Sequence, residues 1–254
     1  MKILNIQSGS KGNATIIQSD GCLLLIDMGI SLSNLIEALE SIGKKPIDLD
    51  ALLVTHSHCD HTSGIRYLDP LPIFCTTGTW EANNVNYVTP FEEFMIKNIK
   101  VTPIEASHDA KNTIGYILED KNSKFVYLTD TGYIPQETLN HIKNSDYYMI
   151  EANHDRKMLL QTNRPRELKL RILSDVGHLS NEDSAMYMSQ VIGDCTKEII
   201  LSHLSEEANT PDKALDAYQR IFDKKRIKLD KIYLHCANQY QSTVGGDCHE
   251  LWRI

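Results

Sequence analysis

Between residues 56 and 61 the chain reads His56-Ser57-His58-Cys59-Asp60-His61, four metal-ligand side chains in six positions. Neutral imidazole nitrogens and carboxylate oxygens suit borderline divalent ions such as Zn²⁺. The cluster follows Ala51-Leu52-Leu53-Val54, an apolar run with the character of a buried strand, where alternate residues point the same way. His56 and His58 can therefore share one ion. Asp60 and His61, just past the strand end, can be aimed by a tight turn at a second. A histidine-rich surface loop is the plainer account, but three histidines and an aspartate directly after a buried run fit a two-metal site better. Cys59 alternates with His58 and Asp60 and is expected to be a packed neighbour rather than a ligand.

Two ions at four or five coordination need roughly three ligands more than the cluster offers, besides water. His108 follows the strand-like Val101 to Ile104, Asp130 follows Lys124 to Thr129, and His203 follows Ile199 to Leu201. Loops at one sheet edge are where ligands from distant parts of a chain can meet.

The elements that must position these residues are mostly short strands. Lys2 to Ile6, Ala14 to Gln18 and Cys22 to Asp27 are separated by turn-forming stretches and predict a hairpin-rich start. Apolar residues at 32, 35, 36, 39 and 42 predict a surface helix over Ser31 to Ile42, ended by Gly43 and Pro46. Further strands are expected at Leu52 to Thr55, Pro72 to Cys75, Ile99 to Ile104, Ile114 to Glu119, Lys124 to Thr129, Tyr147 to Glu151, Glu198 to Leu201 and Lys231 to Leu234. Helices are expected from Gln136, over Asn181 to Ile192 with Ser180 and Asp183 placed for a capping box, and over Asp212 to Phe222. The segment Asp155 to Ile172 carries six basic residues with little periodicity and reads as an exposed loop or arm, either a solvated face or a phosphate contact.

A chain of 254 residues is expected to form one domain, residues 1-254. Six cysteines without a Cys-x-x-Cys pair argue against a zinc ribbon and a disulfide framework. No stretch approaches the roughly 18 uninterrupted apolar residues of a membrane span, and the start lacks a signal-peptide core, so a cytoplasmic protein without membrane contact is expected. The net charge of −8 disfavours a broad basic surface for nucleic acid, although bound divalent ions would offset it locally.

The order His-x-His-x-Asp-His, His108, Asp130, His203 resembles the metallo-β-lactamase superfamily, as does Asp27 in Leu24-Leu25-Ile26-Asp27-Met28-Gly29. Within it the chain is similar to the WalJ/YycJ-type metallohydrolases through Ser8 to Asn13, Ser107 to Ala110, Thr129 to Tyr133, Asn153 to Asp155 and Arg171 to Asp183. The resemblance implies an α/β fold, a four-layer αβ/βα sandwich of two facing mixed sheets with outer helices. It implies His56, His58 and His108 on one metal, Asp60, His61 and His203 on the other, Asp130 bridging, and Asp27 supporting the metal loop from behind. The metals expected are two divalent ions, Zn²⁺ or Mn²⁺, with Fe²⁺ equally compatible with these ligands.

The activity implied is hydrolysis of nucleic acid by a binuclear phosphodiesterase, DNA favoured and exonuclease-like, in which a water deprotonated between the ions attacks phosphorus. Asp60 can orient that water or take its proton, or act purely as a ligand. By analogy with the Gly-His-Ser-Thr stretch of RNase Z, His178 in Gly177-His178-Leu179-Ser180 can stabilise the phosphate, or else be satisfied by the helix cap or the core. Glu151 and His154 are secondary candidates for contact with His178 or substrate. His141, His235 and His249 read as ordinary surface or core residues. The Ser8 to Asn13 loop is either a tight turn or a set of backbone N–H groups for phosphate. The competing enzyme class is a small-substrate metallohydrolase acting on a cyclic nucleotide, a lactone or a thioester; a metal-dependent binding module is the non-enzymatic alternative. Oligomeric state and the part played by residues 236-254 have no signal in the sequence.

Overall fold

The computed structural model describes residues 1–19 and 21–247. The first sheet begins with β1 (Lys2–Gln7), β2 (Ala14–Ser19) and β3 (Cys22–Ile26), paired antiparallel in sequence order. Beyond β3 it continues in parallel with β4 (Ala51–Leu53), β5 (Ile73–Cys75) and β6 (Val85–Tyr87). The second sheet starts antiparallel, with β7 (Phe94–Ile96), β8 (Ile99–Glu105), β9 (Ile114–Glu119) and β10 (Lys124–Leu128). It then turns parallel through β11 (Tyr147–Glu151), β12 (Glu198–Ser202) and β13 (Tyr233–Cys236). A last strand, β14 (Thr243–Gly246), returns to the first sheet and pairs with β1. Among the described residues each sheet has seven strands.

Alternation along the strands builds four layers. Ile3, Ile17, Leu24, Ile26 and Leu53 of the first sheet meet Val101, Tyr116, Phe125, Tyr127 and Met149 of the second in one buried cluster, so the two sheets face each other. Their neighbours in sequence point outward. Leu4, Ile16, Leu25 and Leu52 pack with Leu35 and Leu39 of helix α1 (Leu32–Ser41). On the other side Val126, Leu128, Ile150 and Leu201 pack with Leu139, Met188 and Phe222, which belong to α3 (Gln136–His141), α6 (Asn181–Val191) and α7 (Pro211–Lys224). Strands covered on both faces are apolar throughout rather than alternating, as β3 and β4 are. The mixed α/β sandwich implied by the resemblance is the architecture found.

The remaining helices are short: α2 (Cys59–Thr62), α4 (Arg156–Gln161) and α5 (Arg166–Ile172). The last two correct the expectation of an irregular arm, for the basic segment is a pair of helical turns. Asp155 caps α4 by accepting from Met158 N at 2.8 Å, and Pro165 precedes α5. Helices this short carry too little apolar period to be read from sequence. Residues 236–246, which suggested nothing, supply the end of β13 and all of β14. The strand expected to reach Thr55 ends at Leu53, and β13 lies two residues later than expected.

Among the described residues no helix is long and apolar enough to cross a membrane.

Candidate metal centre

The residues singled out in the sequence leave their strands at one end of the sandwich. Asp27 follows β3, the His56 to His61 cluster follows β4, His108 follows β8, Asp130 follows β10, Glu151 ends β11 and His203 follows β12. Three of the strand-exit residues, Asp27, Asp130 and His203, have φ of 58°, 52° and 55°. Left-handed backbone is uncommon for residues other than glycine, and here it turns each side chain off its strand at once. Asp60 and His61 lie in α2 rather than in an irregular turn.

Four imidazoles are anchored in the same sense, with Nδ1 tied to protein. His56 Nδ1 lies 3.0 Å from Thr55 Oγ1, His61 Nδ1 2.8 Å from Asp27 Oδ2, His108 Nδ1 3.1 Å from the Gly177 carbonyl, and His203 Nδ1 2.9 Å from Glu151 Oε1. Fixing one ring nitrogen orients the other, so that each Nε2 is turned towards the centre. Those of His56 and His203 are buried and have no hydrogen-bond partner among the described residues. A buried, unpartnered imidazole nitrogen is costly unless something else fills it.

Ligand atoms converge in overlapping groups, each within 4.8 Å: His56, His58 and His108; Asp60, His61 and His203; His56, His61 and Asp130; and Asp130, Glu151, His178 and His203. Asp130 belongs to two of them, with Oδ2 3.1 Å from His61 Nε2 and Oδ1 3.9 Å from His108 Nε2. Nitrogen and carboxylate donors with orphaned, inward-directed nitrogens fit divalent metal ions.

Electrostatics agree with this assignment. Burial and the neighbouring His61 charge hold His56 well below the usual imidazole range, and burial lowers His108, so both favour the neutral, ligating form. Burial would lower His61 too, but the Asp27 and Asp130 carboxylates reverse this and raise it well above its ordinary value. His203 behaves likewise through Asp130, Asp60 and Glu151. These two rings trap protons where cations belong.

Behind the centre, Asp27 is fully buried and accepts from Thr55 N at 2.9 Å and Thr55 Oγ1 at 3.1 Å besides holding His61. Glu151 is the second buried anchor. Its Oε2 accepts from Thr131 N and Leu179 N, while Oε1 takes His203 Nδ1 and, at 2.8 Å, His178 Nδ1. Burial would raise its pKa, but the His178 charge and the bonds to both histidines hold it below the usual carboxylate range. His178, with its side chain 18% exposed, thus stands at the open side of the centre, 3.7 Å from Asp130 Oδ1.

His154 is different: among the described residues both its buried ring nitrogens lack a partner, and it joins none of the converging groups. Its backbone instead pins α6, pairing with Ser180 and accepting from Asn181 N at 2.9 Å. Cys59 is exposed and also outside the groups. His141 bonds the Glu137 carbonyl and His235 bonds Glu198; His249 lies outside the described residues.

Several contributors escape a reading of the sequence. Thr55 bonds Asp27 and lies against His56 and His61, Asn13 Nδ2 lies 3.0 Å from His61 Nε2, and Ser8 Oγ accepts from His203 N at 2.8 Å. The Ser8 to Asn13 loop is a turn, with Gly12 N bonded to the Gly9 carbonyl, that braces the centre. Asp109 Oδ1 lies 3.3 Å from His108 Nε2 and 3.7 Å from His58 Nε2, while its other oxygen pairs with Arg171 of α5. The rest of the basic segment is mostly engaged elsewhere: Arg156 with Asp183, Arg164 with Glu207, and Lys169 with the Leu160 and Thr162 carbonyls.

Two facing sheets with a histidine and carboxylate centre at their shared edge define a metallo-β-lactamase-type fold. Residues 24–204 match the Beta-lactamase superfamily domain model. The chain is 38% identical over 224 residues to exodeoxyribonuclease WalJ of Streptococcus pneumoniae serotype 2, covering 82% of this chain and 83% of that one. It is 35% identical over 242 residues to exodeoxyribonuclease YycJ of Bacillus anthracis, covering 90% and 91%. Among solved structures it is similar to the metallo-β-lactamase fold protein YhfI from Bacillus subtilis, at a TM-score of 0.72 and 17% identity over 96% of this chain and 99% of the other. The chain belongs to the metallo-β-lactamase superfamily and, within it, to the family that contains WalJ and YycJ.

Proposed function

We propose that this protein is a binuclear metal-dependent phosphodiesterase that degrades DNA from strand ends. The observation that carries the reading is the placement of His178: an imidazole at the open side of a metal-ligand cluster, oriented by a buried carboxylate. That is what a group serving a leaving oxygen requires. The polymer comes from the WalJ and YycJ relatives, both named exodeoxyribonucleases.

In this reading His56, His58 and His108 would hold one divalent ion and Asp60, His61 and His203 the other, with Asp130 available to both; Zn²⁺ and Mn²⁺ both suit the donors. When bound, such ions acidify water and offset the charge that develops on a phosphodiester during attack. The chain's own groups do the rest. Asp60, whose side chain is partly exposed and 3.9 Å from His203 Nε2, orients the attacking water or takes its proton. His178 Nδ1 donates to Glu151, which fixes the tautomer and leaves Nε2 to serve the oxygen that departs. Arg171, drawn to the rim by Asp109, offers a guanidinium to a neighbouring phosphate.

The test is a panel of labelled linear DNA, RNA and cyclic nucleotides with the purified protein and Mn²⁺ or Zn²⁺. Linear DNA should be degraded, and His58→Ala or Asp130→Ala should abolish this. Turnover that survives Asp130→Ala sinks the two-metal mechanism. Rapid hydrolysis of cyclic nucleotides without cutting of DNA or RNA assigns the site to a small substrate instead.

A further inference from the structure

His108 also forms one wall of an open groove of about 500 Å³ running away from the metal centre. Thr76 and Thr77, after β5, and Asn112, before β9, line it side by side, and they are braced together. Thr76 Oγ1 donates to the Asn112 carbonyl at 2.7 Å, and Asn112 Nδ2 donates to the Thr77 carbonyl at 3.0 Å. The groove is therefore formed before any ligand arrives.

Its chemistry is the opposite of a phosphate track. Hydroxyl and amide groups predominate, Tyr133 is 41% exposed, and among the described residues no lysine or arginine lines it. The carboxylate in the lining is Glu105, the last residue of β8, which is exposed and makes no side-chain hydrogen bond or ion pair with the described residues. A phosphate brought against Glu105 would meet repulsion from its carboxylate. A nucleoside would not: its base can stack on Tyr133, and its base edge and sugar can bond the threonine and asparagine groups.

Resting on the nuclease reading above, we infer that this groove receives the terminal nucleoside beside the scissile phosphate, and that Glu105 is a stop that rejects a strand continuing past it. A strand end carrying a free hydroxyl satisfies the groove. A terminal phosphate, or the next phosphate of an uninterrupted strand, is brought towards Glu105. Restriction to ends then follows from charge placement, with no need for a closed tunnel.

The experiment compares one labelled single-stranded oligonucleotide in four forms, with hydroxyl ends, with a 3′-phosphate, with a 5′-phosphate and as a covalently closed circle, using the Mn²⁺-loaded protein. The circle should be spared, and one of the two terminal phosphates should slow degradation by about ten-fold relative to hydroxyl ends. Glu105→Gln should bring that ratio to within about two-fold. Because it is a ratio within a single preparation, it is independent of the fraction folded. Tyr133→Ala should raise KM for the strand about five-fold while Tyr133→Phe leaves it unchanged. Cutting of the circle at the linear rate, indifference to both terminal phosphates, or an unchanged ratio in Glu105→Gln overturns the assignment of the groove while leaving a nuclease. Failure to cut any form overturns the nuclease reading, and this assignment with it.

Discussion

Glu151 Oε1 accepts from His178 Nδ1 at 2.8 Å while the same oxygen lies 2.9 Å from His203 Nδ1, so one buried carboxylate serves a candidate acid and a candidate ligand. The two partners separate its roles. His178→Ala should lower kcat by about 10²-fold or more with metal content unchanged, because only proton transfer is lost. Glu151→Gln should lower kcat and also weaken metal retention, because His203 loses the charge that orients it. Steady-state kinetics alongside metal analysis distinguishes the cases; equal metal loss in both variants would mean that His178 is itself a ligand.

Metal uptake should release protons. Burial pulls down His61 and His203, yet the carboxylates around them win, and His203 is pushed up to about 10 in the metal-free chain. A metal takes the deprotonated ring, so affinity should rise with pH through neutrality, by up to about ten-fold per unit for each proton displaced. His56, already neutral, contributes none. The sign for stability is the reverse. A raised histidine pKa stabilises the fold fully below the unfolded value of about 6.5 and is lost as pH climbs through the folded value. The Tm of the chelator-treated protein should therefore fall from about pH 7 to about pH 10, and saturating Mn²⁺ should flatten that slope. Calorimetry in buffers of different ionisation enthalpy reads the protons directly; uptake instead of release would contradict the assignment.

Asp27→Asn retains a side chain that tolerates left-handed backbone and still accepts from Thr55, but removes the charge beside His61. The expected result is a roughly 10- to 100-fold loss of metal affinity, the usual contribution of outer-sphere partners, with the fold intact by circular dichroism. Unchanged affinity would reduce Asp27 to a loop brace.

Gly29 carries a packing requirement. A Cβ there would lie 1.6 Å from the Asp60 carbonyl oxygen, with backbone rather than a flexible side chain in the way. Gly29→Ala must push α2 off its seat and should reduce metal content and Tm together. A variant with parental metal content and Tm would show that the loop shifts freely.

The centre was unusually legible because its ligands follow strands whose apolar runs are easy to recognise, and because His56 to His61 are local. The anchors were less so. Glu151 carried a usable signal, a carboxylate ending the apolar Tyr147 to Ile150 run, but nothing local tells that its oxygens reach Thr131, Leu179, His178 and His203. Asn13 and Ser8 act across the fold, and their loop has the composition of any turn. β14 escaped because Thr243-Val244-Gly245-Gly246 has a single large apolar residue and its partner strand is at the far end of the chain. Propensity cannot report a pairing so remote.

That pairing sets an order of events in biosynthesis. Lys2 lies opposite Gln18 on one side and Gly246 on the other. The edge of β1 thus stays open until β14 has been made. Every candidate ligand, His203 being the final one, emerges before the strand that seals its sheet. A nascent chain can therefore gather its histidines while the barrier to complete folding, set by closing so long a loop, still lies ahead.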